Sequence, residues 1–350
     1  MKIIGVILAV LLAPLPQVWA QARKPASLPE LASYTGADRE KILLSGAQAE
    51  GKVVWYTSLA GSSYKEILKA FEARYPGVRV EVYRGTSKDL TARILAEVQA
   101  KRFLMDALET TLPLLKLMRE NNMMTPFNSP HLSAYPEEGK QKTDKGRFLW
   151  GIDRESYIGF AFNKNSVPAG AVPKSYGDLL RPELKGKMGL ATSDTGPRAI
   201  GGMIAVKGEE FVKKLKSQEI TLHTVSGRAM VDLVASGEVG ASPTVFRSHA
   251  GEVSGAGAPV TWVPMEIVPT NAGGVALPAR APHPHAAVLF VDFLLGPEAQ
   301  KILERLQYGS ATKDYGFKRW YPEQGMDSEQ YEKANDKWER LLREIGRKAS

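Results

Sequence analysis

Between Lys52 and Lys101 the apolar positions change period three times. Val53-Val54-Trp55-Tyr56 is an unbroken β-branched and aromatic run, the pattern of a strand buried on both faces. Ile67, Leu68, Phe71 and Tyr75 then recur at helical spacing, and Pro76-Gly77 stops that helix. Val78, Val80 and Val82 alternate as a second strand, and Gly85-Thr86-Ser87 opens the next helix. Strand, helix, strand, helix with a small-residue loop after each strand predicts an open α/β unit. Such units gather loops at the carboxyl edge of the sheet, where these folds bind ligands.

The alternation continues along the chain. Asp38 to Ala49 reads as a helix with Ile42, Leu43 and Ala47 on one face. Met105 to Thr111 reads as a strand with its edge loop, and Leu112 to Asn121 as an apolar helix. Residues 127–147 are polar and Pro-containing, a surface excursion. Ser156 to Asn163 is a longer strand, and Ser175 caps a short helix. Strands follow at 187–191, 220–224, 240–243, 259–264 and 273–277, with helices at 195–206, after Ser226-Gly227 and at 284–295. The charged tail, Ser328 to Arg347, is an amphipathic helix. About 300 residues of alternation predict α/β architecture with mainly parallel sheets, and 350 residues suffice for two lobes.

The N-terminus changes where this fold is expected to work. Met1-Lys2 precedes an apolar run, Ile3 to Leu15, of signal-peptide length and too short to span a bilayer. Small residues at Val18, Ala20 and Ala22 offer cleavage after Ala20 or Ala22. The chain has no cysteine, so it has no disulfide framework, no thiolate metal site and no lipidated N-terminal cysteine. The expected product is a free periplasmic protein standing on its hydrophobic core. The formal net charge is +8, with basic residues scattered among acids. That distribution fits a solvated surface or an anion-attracting cleft, not a nucleic-acid partner.

Five stretches in their order and spacing give a family resemblance: VVWYTS (53–58), FEARYPGVRVEVYRGTSKDLTARILAE (71–97), YIGFAFNKNSVPAGAVPKSYGDLLRPELKGKMGLA (157–191), the Ser-Gly-Glu turn at 236–238 and APHPHAAVLFVDFLLGPEAQKIL (281–303). From Gly51 to Leu303 the chain resembles the periplasmic solute-binding proteins of ABC importers, in the ferric-iron-binding branch. The resemblance implies a two-lobed type II periplasmic-binding-protein fold with two hinge crossings, near Tyr157 to Asn163 and Val263 to Leu277. On that scheme residues 1–22 are the signal, 23–50 an N-terminal extension and helix, and 51–157 plus 266–300 lobe 1. Residues 158–265 are lobe 2, and 301–350 form C-terminal helices across both lobes. It also implies hinge closure on a small-molecule solute, an inner-membrane ABC permease as partner, a monomer, and no cofactor.

Four helices open just after a strand with small or hydroxyl residues: at Ser62-Ser63, Thr86-Ser87, Ser193 to Gly196 and Ser226-Gly227. Helix N-termini carry free N–H groups and partial positive charge, and so suit anions; ordinary capping also requires such residues. Arg198 and Arg228 fall in the first turns, where a cation is unfavourable by roughly 0.3–1 kcal/mol and a bound anion would offset it. Arg84 and Arg247 lie near the family's ligand-facing segments. Thr57, Ser58, Thr86, Thr110, Thr111, Tyr157, Thr195, Gly196, Ser226, Gly227, Thr270 and Asn271 complete the candidate set. Tyr56, Phe160 and Phe246 are candidates for an apolar wall or for core.

The site departs from the iron branch. Ferric-binding members place an adjacent tyrosine pair shortly after the Ser-Gly-Glu turn, because phenolates suit Fe(III). Here the region reads Gly240-Ala-Ser-Pro-Thr-Val-Phe-Arg247, and the first loop is Thr57-Ser58-Leu59-Ala60-Gly61, without histidine or acid. Iron would need a synergistic anion and help from Tyr56 or Tyr157. His283-Pro284-His285 suits a helix start better than a metal. No nucleophile elbow, phosphate loop, zinc motif or dinucleotide glycine pattern is present, which disfavours an exported hydrolase; a sensor subunit would use the same fold. The reading is a non-enzymatic importer component that captures an anionic organic solute: a phosphonate, phosphate ester or carboxylate. Fe(III) with an anion is the alternative.

Overall fold

The computed structural model describes residues 26–59 and 63–349. The expected signal, residues 1–22, lies outside the described residues. Two short N-terminal helices, α1 (Leu28–Ser33) and α2 (Arg39–Glu50), lead into the first strand, β1 (Lys52–Thr57). The α/β unit follows as α3 (Ser63–Arg74), β2 (Arg79–Arg84), α4 (Ser87–Gln99), β3 (Ala107–Thr111) and α5 (Leu112–Glu120). Strands β1, β2 and β3 pair in parallel. Their helices start where expected: Thr86 Oγ1 accepts from the Asp89 amide at 3.2 Å while Asp89 Oδ2 accepts from the Thr86 amide at 2.9 Å, a reciprocal cap for α4.

Strand β4 (Lys140–Lys142) precedes β5 (Phe148–Asn163), sixteen residues long. After β6 (Gly189–Ala191) come α6 (Thr195–Lys207), α7 (Glu209–Lys214), β7 (Ile220–His223), α8 (Gly227–Ser236), β8 (Ala241–Phe246), α9 (Arg247–Gly255) and β9 (Val260–Val263). The chain returns through β10 (Val268–Ala276), then α10 (Pro284–Leu295), α11 (Pro297–Arg305), β11 (Arg319–Trp320), α12 (Ser328–Ile345) and β12 (Gly346–Lys348). Strands β5 and β10 run antiparallel, with Thr270 opposite Tyr157 and Asn271 opposite Ser156. Strand β10 also pairs antiparallel with β3, and β5 with β8 and β9. The large sheet is therefore mixed. Parallel pairing is found in β1–β2–β3, in the short β10–β11 pair and in the three-stranded sheet β12–β7–β6. The crossings, which must run up and back, supply the antiparallel pairs.

Hydrophobic burial falls into separate clusters. One draws on Leu28 to Ile152 and on Ala272 to Tyr321. Two others draw on Phe160 to Ile267 and, from the C-terminal helix, on Tyr331, Trp338, Leu341, Leu342 and Ile345. The first cluster centres on α10, which is apolar apart from His285 and Asp292 and is buried between α2 and the sheet. Phe290 meets Trp55 and Phe71 edge-on at centroid separations of 5.1 and 4.8 Å. The excursion at residues 127–147 is less superficial than its composition predicts. Phe127, Leu132 and Tyr135 are buried in it, because β4 adds to the edge of β5. His283 and His285 tie the start of α10 to two different acids: His283 Nδ1 lies 2.7 Å from Asp106 Oδ2, and His285 Nδ1 lies 2.8 Å from Glu50 Oε1. Among the described residues no helix is long and apolar enough to cross a membrane.

Candidate ligand cleft

On lobe 1 the carboxyl ends of β1 and β3 meet the middle of β5. Glu109, the third residue of β3, is fully buried. Its Oε2 accepts from Thr57 Oγ1 at 2.6 Å and from the Ser58 amide at 2.9 Å. Its Oε1 accepts from Arg154 Nε at 2.8 Å, and Arg154 Nη2 donates to Ser58 Oγ at 3.0 Å. Burial alone would depress the Arg154 guanidinium, but Glu109, Tyr308 and Asp153 together outweigh burial and hold it raised. Asp153, next along the strand, has neither carboxylate oxygen partnered, and burial followed by repulsion from Glu109 pushes it well up. Nearby, Ser87 Oγ lies 3.1 Å from Thr110 Oγ1 and 2.7 Å from Thr111 Oγ1, joining three hydroxyls. Arg84 Nε donates to the Leu59 carbonyl at 3.1 Å and so braces the first loop.

On lobe 2 three strand-to-helix junctions converge. A Cβ built at Gly227, the start of α8, would lie 3.3 Å from Thr195 Cγ2 and 3.4 Å from Phe246 Cδ2. Thr195 is the first residue of α6, and Phe246 immediately precedes α9. Gly196 has no room for a side chain, since its Cβ would stand 2.1 Å from the Ala191 carbonyl oxygen. Thr195 is only 2% exposed, yet its Oγ1 has no partner, and the same holds for Ser193 Oγ and His249 Nδ1. Buried polar atoms without partners are costly, and three of them gather at these helix starts. The His249 ring packs edge-on against Phe246 at 5.4 Å, and burial lowers its pKa, which keeps it neutral at neutral pH. Ser226 Oγ is spent on capping α8, accepting from the Ala229 amide at 3.2 Å.

Between the lobes, Arg247 opens α9 and stands 5.0 Å over the Tyr315 ring, with no ion pair among the described residues. It lines a hollow of about 180 Å³ with Tyr157, Tyr308, Gly309, Lys313 and Tyr315. The Arg154 guanidinium lies 5.7 Å from the ring of the same Tyr308. On the crossing strands, Thr270 Oγ1 donates to the Val268 carbonyl, while Asn271 Oδ1 is buried and unpartnered.

The structure thus groups Thr57, Ser58 and Thr110–Thr111 on one side, and Thr195, Gly227 and Phe246 on the other. It gives two of the candidate arginines other company. Arg198 is buried and donates from Nη1 to Glu323 Oε1 at 2.5 Å, while Arg228 pairs at the surface with Glu252 and Asp232. Neither therefore brings an unbalanced charge to its helix. Sequence reasoning passed over Glu109 and Arg154. The available signal was Asp153-Arg154-Glu155, three charges in the middle of a strand that must be buried.

The tyrosines that ferric iron would require are committed elsewhere. Tyr56 donates to Glu97 Oε1 at 2.7 Å and accepts from Arg93, and burial with that carboxylate pushes it up to about 12. Tyr157 donates to Glu155 Oε2 at 2.5 Å and is also raised by burial and that carboxylate. Both shifts oppose phenolate formation. Among the described residues no group of three or more histidine, aspartate or glutamate side chains is placed to hold a metal.

Several known proteins are similar. An uncharacterized protein of Haemophilus influenzae is 27% identical over 271 residues, covering 73% of this chain and 76% of the relative. The Fe(3+)-binding periplasmic protein of Serratia marcescens is 24% identical over 269 residues, covering 73% and 77%. Among solved structures, iron-bound HitA from Pseudomonas aeruginosa aligns at TM-score 0.66 and 20% identity, over 84% of this chain and 99% of its own. AfuA from Actinobacillus pleuropneumoniae, with exogenous fructose-6-phosphate bound, aligns at 0.63 and 24%, over 85% and 99%. These likenesses bear out the two-lobed α/β fold. Residues 110–338 match the family described as bacterial extracellular solute-binding protein, and this chain belongs to that family.

Proposed function

We propose that this protein is the periplasmic solute-binding component of an ABC importer, capturing a small anionic organic solute between its lobes for delivery to a membrane permease. The observation that carries the reading is the buried, unpartnered Thr195 Oγ1 at the N-terminus of α6, packed against the N-terminus of α8. Two helix N-termini and a free hydroxyl suit an anionic head group. Arg247, free of ion pairs among the described residues, supplies positive charge from the hinge side, while Arg154 is balanced by Glu109. Phe246 and neutral His249 stand beside Gly227 without adding charge. AfuA, with a sugar phosphate bound, shows that this fold can hold such a solute.

Ferric iron is the second reading, favoured by the Serratia relative and by HitA. Tyr56 and Tyr157, both raised and both bonded to carboxylates, weigh against it. The test is isothermal titration of the mature protein with phosphate esters, phosphonates and carboxylates, and separately with Fe(III) plus citrate. Saturable binding of an organic anion without iron is expected. Binding only with iron, accompanied by a visible tyrosinate-to-iron absorption band, would overturn the proposal.

A further inference from the structure

At the edge of lobe 1 remote from the cleft, before β3 begins and after β10 ends, the surface is unusually apolar. Leu90, Ile94 and Val98 form one stripe of α4, and its last member runs past the core to 39% exposure. Leu95 and Leu104 are exposed beside it, so three of the four large apolar side chains exposed among the described residues lie in one place. Val98 and Leu104 line a hollow of about 230 Å³ with Phe103, Met105, Met118 and Met123. Methionines adapt to irregular apolar guests. A buried, satisfied core needs no such opening, and scattered exposure would not surround one.

The rim has one sign of free charge. Arg102 and Arg280 line the mouth and Lys101 adjoins it, and none of the three forms an ion pair among the described residues. Arg280 is held over the Phe103 ring at 4.5 Å. The one acid at the mouth, Glu97, is engaged by Arg93 at 2.7 Å and by Tyr56. An apolar interior with unpaired guanidinium groups at its opening suits an amphiphile with a planar, singly charged anionic head. The volume lies below the range that encloses drug-sized ligands, so the guest is small.

We propose that this hollow is a second ligand site, distinct from the interlobe cleft, that takes a small apolar monocarboxylate such as a medium-chain or aryl carboxylate. The probe is octanoate, with octanamide as its uncharged counterpart, titrated into the full chain carrying ¹³C-methyl-labelled methionine. Octanoate is expected to shift the Met105, Met118 and Met123 signals saturably and to leave those of Met188, Met203 and Met230 in lobe 2 in place. The R102A/R280A double variant should bind octanoate about tenfold more weakly, near the affinity of wild type for octanamide. Val98→Glu, which puts an anion into the lining, should weaken octanoate more than octanamide. Unmoved Met105, Met118 and Met123 signals, or equal octanoate affinity in wild type and R102A/R280A, would overturn the proposal.

Discussion

Glu109 and Arg154 are joined Oε1 to Nε at 2.8 Å across the backbone of Gly273, and both are buried. The pair joins β3 to β5, and it holds Ser58 and Thr57 in their places. A residue on each of three strands thus fixes the first loop of the cleft.

Gly273 makes this contact possible. A Cβ there would lie 2.6 Å from Glu109 Oε1 and 2.7 Å from Arg154 Cζ. Gly273→Ala should cost about 1–3 kcal/mol, as overpacking does, and should weaken solute binding by displacing Arg154. Urea denaturation together with titration of the bound solute checks both parts.

Arg198 and Arg228 should behave differently when removed. Arg198→Ala leaves buried Glu323 without its ion-pair partner, and breaking such a pair costs about 3–5 kcal/mol. Arg228→Ala removes a surface pair worth about 0–1 kcal/mol. Chemical denaturation of the two single variants should therefore give a large and a negligible loss. Equal losses would refute the assignment of Arg198 to a structural pair.

Asp153 gives the stability a pH dependence of defined sign. Its folded pKa lies above the ordinary value of 3.8, chiefly through burial and then through Glu109. The folded state therefore holds the proton more tightly than the unfolded chain. Its contribution is fully present below pH 3.8 and is lost as pH rises through the folded pKa. Asp153→Asn mimics the protonated form. The variant should gain stability over wild type at pH 8 and lose that advantage near pH 4, measured by urea midpoints at both values.

Much of this was legible in the pattern. The period changes between Lys52 and Lys101 placed β1, α3, β2 and α4, because a buried strand and an amphipathic helix demand different spacings. Thr86 and Ser226 were readable as helix starts because capping is local chemistry. The mixed sheet was not legible, since the antiparallel partners β5 and β10 lie over a hundred residues apart and pairing direction leaves no local mark. Nor were the partners of Arg198, because Glu323 reaches α6 only through the folded C-terminal segment. The short strand β12 hides in the tail, its pairing with β7 decided by where α12 ends.

The central claim is that Thr195 is kept free for an anionic solute. Thr195→Val keeps the shape and removes the buried, unpartnered hydroxyl. Thermal shift of wild type and variant would be recorded with fructose 6-phosphate, phosphonoacetate, citrate and Fe(III)-citrate. A ligand at 100 times its dissociation constant stabilises by about 2.7 kcal/mol. The account predicts that an iron-free organic anion stabilises wild type. It also predicts that Thr195→Val loses that response while its unliganded melting temperature is equal or higher. A response to Fe(III)-citrate alone, or an undiminished response in the variant, would contradict it.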